Sequence, residues 1–424
     1  MADYTGTGQP LMSYTRRYEL VQFCGKALIA LTLVLPWNAT AIHLADRPSR
    51  LEAFIHGTPR QIEGMLVKSL LETTQGNLDA ALGDIDEVIR AVPNFKLAHL
   101  VRGDLLQAKT RQIFGFGSAP NAPHEEIADF QEEARVRIER YLSHEDSPTQ
   151  PDYLWQLEPG QRHAIVVDTA KSRLYLYRND NGKARYVADY YVTVGKNGTE
   201  KQTEGDKKTP IGVYFSGQQL AKKKLPDLYG DAAYPLSYPN EWDRHQGKDG
   251  HGIWLHGTPS DTYSRPPRSS DGCVVLTNPD INVLAPILQE GRTPVVIAGG
   301  DQTPPEVLKT QRESLMRALE QWRSTWEKQD TDRYLAIYSR GFFSEGKNFG
   351  TWSEEKRRIQ KTRVNARITL SNLSVFRYPD GKQQMAVVNF NQDFKSELLD
   401  SRMRKRQYWL LEDGQWKILY EGAA

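Results

Sequence analysis

The spacing of apolar residues changes period along this chain, which rules out a fold built on one repeating element. Up to about residue 145 the spacing is helical: Leu82, Ile85 and Ile89 fall at i, i+3 and i+7. From His163 the period is two, and Ala164-Ile165-Val166-Val167-Asp168 and Arg173-Leu174-Tyr175-Leu176-Tyr177 read as strands. Helical spacing returns near Pro305, with Leu308, Leu315, Leu319, Trp322 and Trp326 on one face, before strands resume. A chain of 424 residues has room for such units side by side. The expected fold class is therefore multidomain α+β.

The helical unit is placed at residues 46–145, with one helix following Asn77 and another from about Glu125 to Leu142. Gly115 to Pro123 reads as a loop, and the prolines between Ser143 and Gly160 make that segment a linker. The middle unit, 161–300, adds strands at Tyr186–Gly195, Gly212–Phe215, Gly252–His256, Gly272–Leu276 and Val295–Ala298, with one helix near Pro279–Leu288. Many short strands at close spacing imply a mostly-β sandwich or barrel. The last unit, 305–424, has a helix from Pro305 and a short second helix over Tyr334–Phe343. Strands follow at Arg367–Phe376, Gln384–Phe394 and Arg406–Glu412, and an Asp413-Gly414 turn leads into Trp416–Tyr420. The helices after Gly76 resemble a single tetratricopeptide-like (TPR-like) pair, which cannot bury its own face and must pack on its neighbours. The C-terminal order of helix, aromatic turn and Trp-Lys-Ile strand resembles the NTF2-like cone fold, which implies a concavity able to take a ligand.

Charge excludes one large class of function. Lys plus Arg total 55 against 53 for Asp plus Glu, without the basic excess of a general nucleic-acid binder. At the N-terminus, Arg16, Arg17 and Lys26 precede the apolar run Ala27–Trp37. As a helix that run rises only about 16 Å, too short to cross a bilayer. Ala39-Thr40-Ala41 follows, so residues 1–41 read as a secretory signal peptide and the expected location is the periplasm. An uncleaved anchor is the alternative. Cleavage would remove Cys24 and leave Cys273 as the one thiol in an oxidising compartment, a hazard unless it has work to do. Its neighbours, Ser269-Ser270-Asp271-Gly272, are loop residues rather than core.

Cys273 lies seventeen residues after His256. A free thiol is only about 3% thiolate at neutral pH, and a nearby imidazole can take its proton. Gly272 lets backbone approach a substrate carbonyl closely. The N–H groups of Gly272 and Cys273 are then candidate donors to an oxyanion.

Three motifs carry a family resemblance: Thr209-Pro210-Ile211-Gly212-Val213-Tyr214, Leu255-His256-Gly257-Thr258-Pro259 and Ser270-Asp271-Gly272-Cys273. In this order on short strands they resemble the L,D-transpeptidase (YkuD-like) family over residues 163–299. The resemblance implies Cys273 as nucleophile, His256 as base and the Gly257 carbonyl as the group that orients the imidazole through Nδ1–H. It implies no cofactor. The implied reaction acts on peptidoglycan stem peptides: acyl transfer at the L-centre of the diamino acid, with loss of a terminal D-alanine. An amine acceptor makes this an L,D-transpeptidase; water makes it an L,D-carboxypeptidase. The three-unit layout is similar to cell-shape carboxypeptidases of curved bacteria. Two positions depart from the common pattern, Asp271 where His is frequent and Val275 where Arg is frequent, and both border the acceptor side.

Other residues near the pair have two readings each. Arg265 and Arg268 are clamps for substrate carboxylates or solvated charges on a Pro-rich loop. Ser270 and Thr258 bind substrate or cap turns. His251 contacts substrate or is a surface histidine at a strand edge. His251 and His256 lack further ligands at metal-site spacing, so no metal is expected. Residues 305–424 show no convincing acid–base pair; a binding role is expected there, toward glycan, a protein or a second copy of the chain.

Overall fold

The computed structural model describes residues 61–111, 116–117, 123–143, 152–300, 303–361, 365–379, 381–397 and 399–424. The expected signal peptide and Cys24 lie outside them, as do most of the loop before residue 123 and residues 144–151. No helix among the described residues is long and apolar enough to cross a membrane.

Four helices open the described chain: α1 (Gln61–Thr74), α2 (Leu78–Ala91), α3 (Lys96–Ala108) and α4 (His124–Leu142). Leu82, Ile85 and Val88 of α2 are buried, while Ile89 sits at the margin. They pack with Leu66 and Leu70 of α1, Leu97 and Val101 of α3, and Ala134 and Ile138 of α4. The α2–α3 pair is thus closed by α1 and α4, and the packing does not establish a TPR-like character.

In the middle unit, β2 (His163–Asp168), β3 (Arg173–Asp180), β4 (Lys183–Tyr191), β6 (Gly212–Phe215) and β11 (Pro294–Ala298) form a five-stranded sheet in the order β4-β3-β2-β11-β6. Its alternation feeds two cores. Ile165, Val167, Leu174, Leu176, Val295 and Ile297 pack on one side with Tyr234, Leu255, Val274 and Leu276. These last residues belong to or adjoin a three-stranded sheet of β7 (Ala233–Pro235), β8 (Trp254–His256) and β10 (Val274–Val275). A further pair joins β5 (Val194–Gly195) to β9 (Arg268–Ser270). Two short helices complete the unit, α5 (Glu241–His245) and α6 (Asn278–Leu284).

Val166, Tyr175, Tyr177, Val213 and Val296 face the other way, onto Phe376, Tyr378, Met385, Tyr408 and Leu419 of the C-terminal unit. That unit contains α7 (Pro305–Glu327), α8 (Thr331–Leu335), α9 (Phe349–Lys361) and a seven-stranded sheet. Its strands are β12 (Tyr338–Ser344), β13 (Lys347–Asn348), β14 (Arg367–Arg377), β15 (Met385–Lys395), β16 (Asp400–Glu412) and β17 (Gln415–Ala423), joined by β1 (Leu154–Gln156). The expected turn between β16 and β17 has positive φ at both Asp413 and Gly414, as a tight hairpin requires.

Two expectations are corrected. The 143–160 segment is not wholly a linker: β1 pairs antiparallel with β14, so this stretch contributes an edge strand to the C-terminal sheet. Tyr338–Ser344 is a strand, not a helix, and runs parallel to β17. Its aromatic spacing imitates a helix because residues four apart share a face in a strand as well as in a helix, and Tyr338 and Phe342 are both buried.

Candidate functional site

The site is built where β10 runs parallel to β8, with Val274 opposite Leu255 and Val275 opposite His256. Cys273 precedes Val274, so the register sets it beside Trp254. Trp254 and His256 share a face of β8. The Tyr229 ring contacts both of them, with centroids 4.5 Å from Trp254 and 5.1 Å from His256.

His256 is buried, and its Nδ1 lies 2.6 Å from the Gly257 carbonyl oxygen. A carbonyl only accepts, so Nδ1 carries the proton and Nε2 is left as the basic nitrogen. The turn beyond is held from a distance. Gly257 N–H points at the carbonyls of Tyr229 and Ala232, each at 3.1 Å. Asn278, the first residue of α6, accepts from Asp231 N–H at 3.0 Å and donates to the Thr258 carbonyl at 2.9 Å. A Cβ at Gly257 would overlap Asn278 Oδ1, which is why glycine stands there.

Cys273 is partly exposed, and its Sγ lies 3.3 Å from the Gly252 carbonyl oxygen. Burial of the sulfur pushes the thiol up to about 11, opposed by the Trp254 amide and by the positive charges of Arg265 and Lys201. Burial pushes His256 down to about 4. The resting pair is therefore neutral thiol and neutral imidazole. Such a pair can move a proton to Nε2 as sulfur attacks a carbonyl, without a standing thiolate.

The turn before the thiol is fixed by side chains. Ser270 Oγ accepts from Gly272 N–H at 3.1 Å and donates to the Cys273 carbonyl at 2.6 Å. Buried Thr209 donates to the Gly272 carbonyl at 2.9 Å and accepts from Gly195 N–H at 2.8 Å, giving its motif a structural purpose. Gly272 has φ +122°, and a Cβ there would lie 2.7 Å from the Lys208 oxygen. The expectation that Gly272 N–H serves an oxyanion is corrected, because Ser270 already takes that hydrogen. Cys273 N–H remains the candidate.

The surrounding residues separate into groups. Arg265 folds back so that its guanidinium meets the Ser269 carbonyl, and its charge is felt at both Cys273 and His256. Arg268 is exposed on β9, near Glu132 of α4. Thr258 is buried with its hydroxyl on the Tyr263 carbonyl at 3.2 Å, so it closes a turn. His251 is exposed on the rim, 3.6 Å from Glu204. Asp271 is also exposed, 3.2 Å from Lys196, and Val275 is buried. Among the described residues, no three His, Cys, Asp or Glu side chains converge as a metal site. Sequence reasoning missed Asn278 and Tyr229. Asn278 carried only the weak signal of a polar residue between Thr277 and Pro279 at a helix start.

Comparison with known proteins gives this geometry a family context. Residues 162–297 match the L,D-transpeptidase catalytic domain (YkuD), and residues 314–422 match the Cds6 C-terminal NTF2-like domain. Bd1075 of Bdellovibrio bacteriovorus is similar in structure, with TM-score 0.57 and 29% identity over 65% of this chain and 97% of that one. The helical cell shape determining protein Pgp2 of Campylobacter jejuni is similar too, with TM-score 0.57 and 26% identity over 64% of this chain and 95% of that one. No curated protein sequence gives a significant match.

Proposed function

We propose that this protein is a periplasmic L,D-transpeptidase that uses Cys273 as nucleophile and His256 as base on peptidoglycan stem peptides. The observation that carries the reading is the Nδ1–Gly257 contact at 2.6 Å, which leaves Nε2 as the basic nitrogen on a strand whose parallel neighbour begins directly after Cys273. As His256 Nε2 takes the thiol proton, sulfur attacks the carbonyl at the L-centre of the diamino acid. The C–N bond to the terminal D-alanine then breaks, and His256 returns the proton to the departing amine. Cys273 N–H stabilises the oxyanion. Arg265, half-buried beside the thiol, receives the substrate's terminal carboxylate; Arg268 and His251, both exposed, meet the outer peptide. The acyl group then passes to a second amine and forms a cross-link.

Hydrolysis by the same pair, an L,D-carboxypeptidase reaction, is the second reading. Buried Val275 favours it, since no cation stands there to hold a second stem. The similarity to the helical cell shape determining protein Pgp2, through most of its length, supports a role in cell shape for either reaction. Incubation with purified disaccharide-tetrapeptide, followed by mass spectrometry, tests both. Cross-linked dimers support transfer, and tripeptide monomers alone support hydrolysis. Cys273→Ser should lower either product below about a tenth of wild type, because the hydroxyl is a far weaker nucleophile beside this histidine. Undiminished turnover in that variant would overturn the assignment.

A further inference from the structure

The loop between His256 and Cys273 is seated in the N-terminal helical unit. The Tyr263 ring packs into that unit's core, its centroid 4.7 Å from that of Phe95. Ser264 Oγ donates to the buried Glu133 carboxylate of α4 at 2.5 Å. Asn94 Nδ2 reaches the Ser260 carbonyl at 3.2 Å. These three contacts hold the five residues immediately before Arg265.

Arg265 itself is pinned from the opposite side. Its carbonyl accepts from Tyr191 O–H at 2.8 Å and Thr193 Oγ1 at 2.9 Å. The Tyr191 ring lies 3.8 Å beneath the guanidinium of Arg137, also on α4. Arg137 is buried and forked between Glu133, at 2.9 Å, and Glu63 of α1, at 2.9 Å. Glu63 in turn meets buried Arg173 of β3 at 2.7 Å. One charged network thus fastens the helices to the middle sheet and reaches both sides of Arg265.

We infer that the helical unit is a latch that positions Arg265 near the thiol, with Ser264 and Glu133 as positioning residues for recognition of the substrate's terminal carboxylate. This rests on the function proposed above and extends it to a unit remote from the reacting atoms. Removing Glu133 or Arg137 outright would strand a buried charge and is expected to unfold the protein. Ser264→Ala instead removes one neutral donor to that charge.

The test compares stem tetrapeptides ending in a carboxylate with the same peptides ending in a carboxamide, using the full chain. In Ser264→Ala, KM for the carboxylate form should rise about tenfold, the value of the one hydrogen bond to the charged carboxylate that a displaced Arg265 forfeits. Its kcat should stay near wild type, and the carboxamide form should be little affected. Ser264→Thr, which keeps the hydroxyl, should restore discrimination. Asn94→Ala loosens the same loop without touching the buried charges and should shift KM in the same direction by less. Cys273 alkylation by iodoacetamide gives a second readout that needs no turnover. It should slow in Ser264→Ala, because a displaced Arg265 no longer favours the thiolate. Unchanged discrimination and unchanged alkylation in a folded Ser264→Ala would overturn the latch. Loss of kcat on both peptides alike would also overturn it, by showing general damage. If wild type shows no Cys273-dependent turnover, the proposed function falls; the alkylation comparison still decides the latch.

Discussion

The titration of Cys273 separates two ways in which a thiol and an imidazole cooperate. A standing thiolate–imidazolium pair requires a lowered thiol pKa and a raised histidine pKa. Here burial acts oppositely on both groups, with the thiol at about 11 and the imidazole at about 4. A thiol left at its ordinary value, about 8.5 to 9.0, would be about 1–3% ionised at pH 7. At about 11 the thiolate fraction falls to about 0.01%, a loss of about a hundredfold. Iodoacetamide reads that fraction directly. Its second-order rate at pH 7 should be about a hundredfold below that of an unhindered cysteine peptide, and should rise about tenfold per pH unit through pH 9 without levelling. Acylation by a stem peptide should behave differently. It uses protonated thiol and neutral imidazole, and both forms prevail from about pH 6 to 9, so its rate should be flat there. The rate falls only as pH drops towards about 4 and His256 is protonated, because imidazolium cannot accept the thiol proton. Parallel alkylation and single-turnover acylation measurements across this range make the comparison. An alkylation plateau beginning below pH 8 would refute the neutral-pair argument, since it would report a thiolate already formed at rest.

Two further outcomes follow from the packing. Gly257→Ala drives a methyl group into Asn278 Oδ1 at the turn that orients His256; we expect a loss of about 1–3 kcal/mol in stability, read by denaturant titration, with kcat reduced more than KM. Deleting residues 305–424 strips the cover from Val166, Tyr175, Val213 and Val296, each worth about 1.5–3 kcal/mol when buried. The truncated chain should therefore lose cooperative unfolding and Cys273 acylation together, whereas a soluble, folded and acylated truncation would show the C-terminal unit to be dispensable.

What the sequence discloses about this site depends on how far apart the cooperating residues lie. Cys273 and His256 stand out because acyl transfer demands those residue types and because short motifs surround them. Ser270 was visible as well, with substrate binding and turn capping both open; the turn geometry selects capping, its hydroxyl spent on Gly272 N–H and the Cys273 carbonyl. Asn278 acts across 47 residues on Asp231 N–H, a pairing no local pattern announces. The strand at Leu154–Gln156 was hidden for the same reason, since its partner strand runs through Phe376. The least legible feature is the helix α4. Its sequence, HEEIADFQEEARVRIERYL, is dense in charge and reads as a solvated surface helix. Yet Glu133 and Arg137, four residues apart on one face, are among its most buried side chains. Burial of such a pair is costly unless every charge finds partners. Those partners come from α1, from the stacked ring of Tyr191 and from Ser264 beside Arg265. A charged helix buried in this way is committed to one docking position. That commitment is what allows a unit with none of the reacting groups to fix the loop that carries Arg265.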